Sequence, residues 1–595
     1  MGLRGRSLAV AARYTLLAGA SMLVWSTIIW SQSGDDDVIL RAMRDELARS
    51  KPLGLAGLDR PYYIESSVDD ADNFSISASL GALITSNHTP IRVQKVRVRV
   101  GDYSFDNTNH VYSDYYSGSR YDAEQLPLEN NYQAIREVFW LATDRAYKAA
   151  EEAIARKRSS LKNLNVAEQL PDYSKAAPVQ AVLPIHRTPV DETVWKSRIT
   201  RLSKVFADYP QVLSSELEFQ SSQTTTYLAN SEGTAIRVPD NLAFVRVRAS
   251  GQAPDGMLLR NAGVFQASSV NALPSEAELR RGITALAEEI GALTHAPLGD
   301  GYSGPVLFEP HAAAQLFAQV LGDNLKVSRK PVPDPSRPAQ HLPSELENKV
   351  GSKILPEWID VVDDPTQSEW RGQTLFGHYV YDIEGVIPKP LPLIEKGVLK
   401  TFLLTRTPVR KDFGSTNGRA RLHGQYGADA PGFGNLFIRA AQTIPEAEMK
   451  KKLIDLCRQN NKPYGILVRK LDYPSSASID EFRRATAAMA QSGGGTRPVS
   501  LPLLVYRVYP DGREELVRGL RFRGLSTRSF RDIIAASEDT QVFNFIDSLL
   551  PFALMGAGGY VSNAAVIAPG ILFDELELER TQEDMPKLPV VPPPT

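Results

Sequence analysis

Apolar and charged residues follow two different spacings in the first part of the chain, and each spacing predicts an element. Residues 95–100 read Lys-Val-Arg-Val-Arg-Val, which predicts a strand with a buried valine face and a solvated charged face. Apolar residues recur at helical spacing over 132–157, and 38–50 forms a shorter predicted helix. These elements predict an α+β unit near the N-terminus.

A second α+β unit follows a proline-bearing connector at 171–189. A strand is predicted at 243–249. Ser275 and Glu278 have the spacing of a capping box, in which each side chain accepts a hydrogen bond from the backbone N–H of the other. A helix is therefore predicted to begin there and to end near Leu293.

From Tyr302 onward the pattern becomes β-rich. Strands are predicted near Val306 and Val380 and at 399–404, 436–440, 466–470 and 503–509. Pro510-Asp-Gly512 predicts a hairpin turn after the last of these strands, because proline presets φ and glycine admits a positive φ. A proline-rich surface loop is predicted at 330–343.

The chain has 595 residues, which is more than one hydrophobic core usually serves, so two or more domains are expected. The predicted divisions are a leader at 1–33, an N-terminal α+β domain at 34–170, a middle α+β domain at 189–300, a β-rich C-terminal domain at 301–582 and a proline-rich tail at 583–595.

The charges are balanced. Lys and Arg number 67 against 69 Asp and Glu, for a net charge of −2, and the sequence has no basic cluster that could neutralise a run of phosphates. Nucleic-acid binding is therefore not expected.

The N-terminus has the pattern of an export signal. Arg4, Arg6 and Arg13 precede an uncharged run at 14–30, and a polar, acidic segment follows. Ser31-Gln-Ser33 offers a cleavage site, while the run is also close to the length of a single membrane anchor at 14–30. Under either interpretation, a signal peptide or an anchor, the remainder is expected outside the cytoplasm, in the periplasm or at the outer face of the inner membrane.

Cys457 is the only cysteine, so no disulfide can form within the chain. It lies on the apolar face of a helix predicted at 446–459, where a buried and inert thiol is expected.

Gly301 begins an apolar strand that leads into a predicted helix, and the junction reads Phe308-Glu-Pro-His-Ala-Ala313. Four further segments follow in the chain, at 350–353, 361–365, 394–406 and 415–419. In order and spacing they resemble the C-terminal domain of the TldD/PmbA (TldD/TldE) metallopeptidase family. The resemblance implies an N-terminal α/β part in two pieces and a barrel-like C-terminal domain that encloses the site.

In the TldD branch the corresponding junction carries the zinc motif His-Glu-x-x-x-His. Here Phe308 and Ala313 stand where the resemblance would put the histidines, and only Glu309 keeps its place. The matching region for a further cysteine ligand, 552–560, has none. The resemblance therefore implies a TldE/PmbA-like member with a degenerate motif, no metal of its own, and zinc only in a partner subunit.

Four charged or titratable residues in this region are expected to have structural roles. Glu309 is expected to be a structural carboxylate at a helix N-terminus. His311 is expected to turn away from the old ligand position, because Pro310 occupies the first helical turn. Asp363 and Asp364 are expected to be two solvated turn acids, since adjacent strand residues face opposite sides.

Three functions follow from these observations. The first is a non-catalytic subunit that pairs with a zinc-bearing TldD-type homologue, or with itself, in a peptidase for peptides or unfolded chains. The second is an autonomous hydrolase with a metal site rebuilt from scattered histidines such as His378 and His423. The third is a peptide-binding envelope protein that uses exposed strand edges without catalysis.

Overall fold

The structure is a computed structural model that describes residues 37–113, 125–162, 170–334, 336–337, 341, 343–474, 476, 499–548 and 561–581. The predicted leader at 1–33 and tail at 583–595 lie outside these residues. Among the described residues, no helix is both long enough and apolar enough to span a membrane.

Six of the described strands form a first sheet. They are β1 (Pro61–Ser79), β2 (Ala82–Val100), β3 (Gln180–Val182), β4 (Val212–Asn230), β5 (Ala235–Gln252) and β6 (Leu258–Ala267). The order is β2-β1-β4-β5, and both β3 and β6 pair with β5. Strands from 34–170 and from 189–300 thus share one sheet, and β3 lies inside the predicted connector. The domain boundaries stay a prediction.

Four helices pack on this sheet. They are α1 (Val38–Ser50), α2 (Tyr132–Lys162), α3 (Glu192–Ser203) and α4 (Glu276–His295). α1 and α2 cover one core cluster around Phe139, and α3 and α4 cover a second around Phe219. The predicted capping box is confirmed, because the Glu278 N–H donates to Ser275 Oγ at 3.3 Å and the Ser275 N–H donates to Glu278 at 2.9 Å.

Eleven of the described strands form a second sheet. They are β7 (Tyr302–Phe308), β8 (Ile359–Asp363), β11 (Leu391–Glu395), β12 (Val398–Leu399), β15 (Asn435–Ala440), β16 (Gly465–Leu471), β17 (Pro502–Val508), β18 (Glu514–Val517), β19 (Leu520–Arg523), β20 (Ile533–Ser548) and β21 (Val561–Arg580). Its main path runs from β12 to β18, and these short end strands do not pair with each other. The α+β class is confirmed, but the described sheet is not closed into a barrel.

The remaining elements surround this sheet. They are two strand pairs, β9 (Glu369–Trp370) with β10 (Gln373–Thr374) and β13 (Ala420–His423) with β14 (Asp429–Pro431), and three α-helices, α5 (Pro310–Leu316), α6 (Asp323–Leu325) and α7 (Glu446–Gln459). A π-helical segment, Phe317–Gly322, connects α5 to α6.

The β-rich predictions hold in most places. The hairpin at Pro510–Gly512 is confirmed, since β17 pairs with β18 and Gly512 has a φ of 86°. The strand predicted near Val380 is wrong, because that residue lies in an exposed bend. The strand predicted at 399–404 is confined to β12, because the chain beyond Leu399 turns inward as irregular backbone. The loop at 330–343 is described only in part.

Candidate functional site

The predicted vestigial motif lies where β7 ends and α5 begins. β7 runs through the middle of the second sheet, parallel to β16 and antiparallel to β21. Phe308 at its end is fully buried. Its ring stacks on Phe522, with 5.8 Å between centroids, and meets the edge of Phe573 at 5.5 Å. An aromatic side chain therefore fills this position and offers no atom that binds a metal.

Glu309 is the N-cap residue of α5, but its carboxylate makes no capping hydrogen bond to the helix. Arg469 Nε donates to Glu309 Oε1 at 2.8 Å, and Arg469 Nη2 donates to Glu514 Oε2 at 2.8 Å. These three side chains form a partly exposed ionic network. The sequence placed Glu309 at a helix N-terminus, as observed, but gave no sign of the partner on β16.

His311 and Ala313 occupy the first turns of α5. Ala313 is fully buried, and the ring of His311 meets the ring of Phe543 edge to face at 5.4 Å. Burial and, to a lesser extent, the nearby ammonium group of Lys470 lower the pKa of His311 to about 4. The imidazole is therefore neutral at neutral pH.

The residues at this junction do not fit a zinc ion. Phe308 and Ala313 supply no ligand atoms, and Glu309 is held by Arg469. No group of three or more His, Cys, Asp or Glu with metal-binding geometry occurs within the described parts of the chain. The segment 552–560, where the resemblance would place a cysteine ligand, lies outside the described residues.

The scattered histidines and the cysteine have separate environments. His378 is exposed and its Nδ1 lies 2.8 Å from the backbone oxygen of Pro365. His423 is mostly buried, with Nδ1 3.0 Å from Asp429. Cys457 is buried on α7, as predicted, and burial raises the pKa of its thiol to about 11. The thiol is thus protonated at neutral pH.

Two of the segments that carry the resemblance meet in the core. Arg419 Nε donates to Asp363 Oδ2 at 2.5 Å, and both side chains are fully buried. The Gly434 N–H donates to the other Asp363 oxygen at 2.9 Å. Asp364 is also buried and accepts from Thr366. The prediction of two solvated acids is wrong, because a distant arginine reaches Asp363 inside the fold.

The charged face predicted for 95–100 is also not solvated. Arg97 donates to both carboxylate oxygens of Asp429, at 2.5 and 2.6 Å. Arg99 is fully buried. It donates to Asp106 at 2.9 Å and to the Gly427 carbonyl at 3.1 Å. The prediction of a solvated face is wrong, because the turn between β13 and β14 covers this face of β2.

Arg406 makes a second link between the C-terminal part of the chain and the segments around the first sheet. It is buried, and its Nη2 donates to Glu232 at 2.7 Å while its Nε donates to the Ser174 carbonyl at 2.8 Å. Its guanidinium carbon lies 4.2 Å from the ring centroid of Tyr173. We call Arg97, Arg99, Arg406, Glu232 and Asp429 the interface cluster. The alternating pattern of residues 95–100 does not indicate which distant residues pair with its arginines.

Two buried acids lie beside the interface cluster. Asp382 accepts from the backbone N–H groups of Glu384, Val386 and Ala420, yet burial raises its pKa to about 7. One carboxylate oxygen of Glu384 accepts from the backbone N–H of Arg406 at 2.8 Å. The other oxygen has no hydrogen-bond partner among the described residues. Burial raises the pKa of Glu384 well above its usual range, and the carboxylates of Asp429 and Asp382 add to this effect.

Glu384→Gln will stabilise the protein at about pH 8 by roughly 1 kcal/mol or more, and will leave it nearly unchanged at about pH 4. A carboxyl group whose folded pKa is raised loses stability as pH rises above its unfolded value, and glutamine abolishes that loss. Thermal unfolding at both pH values measures the difference. Glu395→Gln, at an exposed position, is the control. An equal effect at both pH values would contradict the raised pKa.

Known proteins resemble this chain at two levels. Residues 301–500 match the family model described as the PmbA/TldA metallopeptidase C-terminal domain. A metalloprotease of Methanocaldococcus jannaschii is 42% identical over 79 residues, which are 13% of this chain and 16% of that protein. A metalloprotease of Archaeoglobus fulgidus is 35% identical over 79 residues, 13% of this chain and 17% of that protein. The matched segment thus spans about a sixth of these curated relatives.

Solved structures extend the likeness to most of the fold. TldE from Thermococcus kodakarensis superposes with a TM-score of 0.56 at 14% identity, covering 90% of this chain and 100% of that one. A protein from Thermotoga maritima, described as a modulator of DNA gyrase, gives a TM-score of 0.54 at 14% identity, covering 90% of this chain and 99% of that one. At such identities these superpositions show the fold alone. Residues 301–500 thus resemble a PmbA/TldD-type metallopeptidase C-terminal domain, and most of the chain shares the fold of TldE and of the Thermotoga maritima protein.

Proposed function

We propose that this protein is a metal-free subunit of a zinc peptidase, which pairs with a TldD-type homologue that carries the zinc. The junction between β7 and α5 carries the proposal. A strand leads into a helix there, and Phe308 and Ala313, which the resemblance places at the two histidine positions, are both fully buried. Neither position could accept a ligand without repacking of the surrounding core.

The known relatives support the peptidase context. The curated relatives are named metalloproteases, and one solved structure of the same fold is named TldE. A subunit that lacks the metal still shapes a chamber if its scaffold is intact, and the substrates we propose are peptides or unfolded chains. The pattern of Arg4, Arg6 and Arg13 before the uncharged run at 14–30 supports a site of action outside the cytoplasm.

The purified chain from residue 34 onward will carry far less than one zinc per molecule after dialysis against zinc, and will not hydrolyse unfolded casein. The reason is that the junction offers no set of converging ligands. Co-expression with an exported homologue that has an intact His-Glu-x-x-x-His motif will give a heterodimer with zinc and chelator-sensitive hydrolysis. Mass spectrometry of metals and a casein assay measure both results.

Stoichiometric zinc on the chain alone would overturn the proposal in favour of a rebuilt site. His311→Ala, His378→Ala and His423→Ala would then identify the ligands by loss of zinc. A zinc-free chain that binds peptides but no homologue would instead favour the peptide-binding alternative. A matched control is Phe308→Leu, which keeps the position apolar and should leave the metal content of the heterodimer unchanged.

A further inference from the structure

A groove outside the site described above lies between the segment 345–354 and the turn 524–531. Its volume is about 400 Å³, within the range of small-molecule sites. Leu346 and Ile354 line it, and both are almost fully buried. The groove thus has an apolar floor.

Three cations line the same groove, namely Lys349, Arg528 and Arg531. None of them has an ion-pair partner within the described residues, whereas most arginines of this chain do. Glu345 is the one acid among the residues that line the groove, and it accepts from the Thr527 N–H at 3.0 Å and from the Thr527 hydroxyl at 2.7 Å. The groove therefore has an excess of positive charge, which an anion would neutralise.

The two walls are held in place before any ligand binds. The bond between Glu345 and Thr527 joins them. Phe530, in the same turn as the arginines, stacks on Phe317 in the core with 5.0 Å between ring centroids. The Glu345 N–H donates to Asn324 at 2.8 Å. A preformed groove loses little entropy on binding.

We propose that this groove binds the free C-terminal end of a peptide. The carboxylate is bound by Arg528 and Arg531, whose planar guanidinium groups match a carboxylate, with Lys349 adding a third positive charge. The apolar side chain of the last residue packs on Leu346 and Ile354. The choice of a peptide over other amphipathic anions rests on the proposed function.

The test is fluorescence anisotropy with the tripeptide Ala-Ala-Leu, labelled at its N-terminus, on the purified chain without any partner. The peptide with a free carboxylate will bind about tenfold more tightly than its C-terminal amide, since a hydrogen bond to a charged group is lost on amidation. Added salt will weaken the binding of the free form. Equal affinity of the two peptides, or no binding of either, overturns the proposal.

Arg528→Gln combined with Arg531→Gln will weaken binding of the free peptide about tenfold and leave the amide unaffected. The matched control is Arg521→Gln with Arg523→Gln, which removes two exposed arginines from β19 that do not line the groove. Binding of inorganic phosphate without binding of the tripeptide overturns the assignment to a peptide. If the double variant does not fold, the comparison of the free and the amidated peptide on the unmodified protein still tests whether the groove binds a C-terminal carboxylate.

This result is separable from the proposed function. Zinc content and partner-dependent hydrolysis test the metal-free subunit, whereas the anisotropy test uses neither zinc nor a partner. A chain that activates its partner but binds both peptides equally would refute the groove alone. A chain that prefers the free peptide but carries its own zinc would refute the subunit role alone.

Discussion

Arg419→Met will lower the free energy of unfolding of the C-terminal region by about 3–5 kcal/mol. The substitution leaves the carboxylate of Asp363 in the core without its charged partner, and both side chains are fully buried. Methionine approximates the volume of the lost side chain, so the effect comes from the unpaired charge more than from a cavity. It also removes the hydrogen bond from Arg419 Nη2 to the Lys389 carbonyl, which is 2.6 Å long. Urea unfolding followed by tryptophan fluorescence measures the loss.

The matched control is Arg523→Met, in the same domain. Arg523 makes an exposed ion pair with Glu577 at 3.7 Å, and such pairs contribute about 0–1 kcal/mol. Adding Asp363→Asn to Arg419→Met should recover part of the lost stability, because the buried charge is then gone. If the Arg419 and Arg523 variants lost equal stability, the buried pair would not be the stabilising element that its geometry indicates.

Local patterns in the sequence predicted local structure well. α1 has the predicted bounds, and α4 begins at the predicted capping box. These features depend on residues a few positions apart, so a single segment contains the whole signal. The exposed bend at Val380 shows the limit, since a short apolar run can have several conformations that only its surroundings distinguish.

The wrong predictions about charged side chains share one physical cause. The charged face at 95–100 and the acids Asp363 and Asp364 were assigned to water, because charged residues usually lie there. Arg419 pairs with Asp363, and Asp429 pairs with Arg97, in both cases across more than fifty positions, whereas the carboxylate of Asp364 accepts from its near neighbour Thr366. Partners at such separations leave no trace in spacing, so one sequence cannot distinguish a solvated charge from a paired, buried one.

At the junction of β7 and α5, the sequence predicted the boundary between strand and helix. It did not predict which side chains contact the residues of the junction. Arg469, from the neighbouring strand β16, binds Glu309, and Phe522 and Phe573 pack on Phe308. The ring of Phe308 is therefore held by aromatic packing in the core, and the carboxylate of Glu309 is held by an ion pair at its edge.

Asp429→Asn will lower the free energy of unfolding by about 3 kcal/mol at neutral pH, by weakening the contact between β2 and β14 in the interface cluster. Asparagine keeps one acceptor oxygen, so Arg97 would lose one of its two hydrogen bonds to residue 429 and its close negative charge, and would keep its contacts with His423 and with Glu65, the latter at 3.7 Å. Because this contact joins β2 to β14, we also expect faster cleavage by protease in the segment between β13 and β14. Thermal unfolding and limited proteolysis measure the two effects.

The pH dependence of this variant has a definite sign. Burial alone would raise the pKa of Asp429, but Arg97 and His423 outweigh it and hold the pKa well below its usual range. A depressed folded pKa gives stability that is present above the unfolded value and lost as pH falls below it. The gap between wild type and Asp429→Asn should therefore be constant down to about pH 4 and narrow below it. Asp144→Asn, in an exposed pair with Lys148, should show no gap at any pH, and a gap of Asp429→Asn that widened on acidification would mean that Asp429 is protonated in the folded protein.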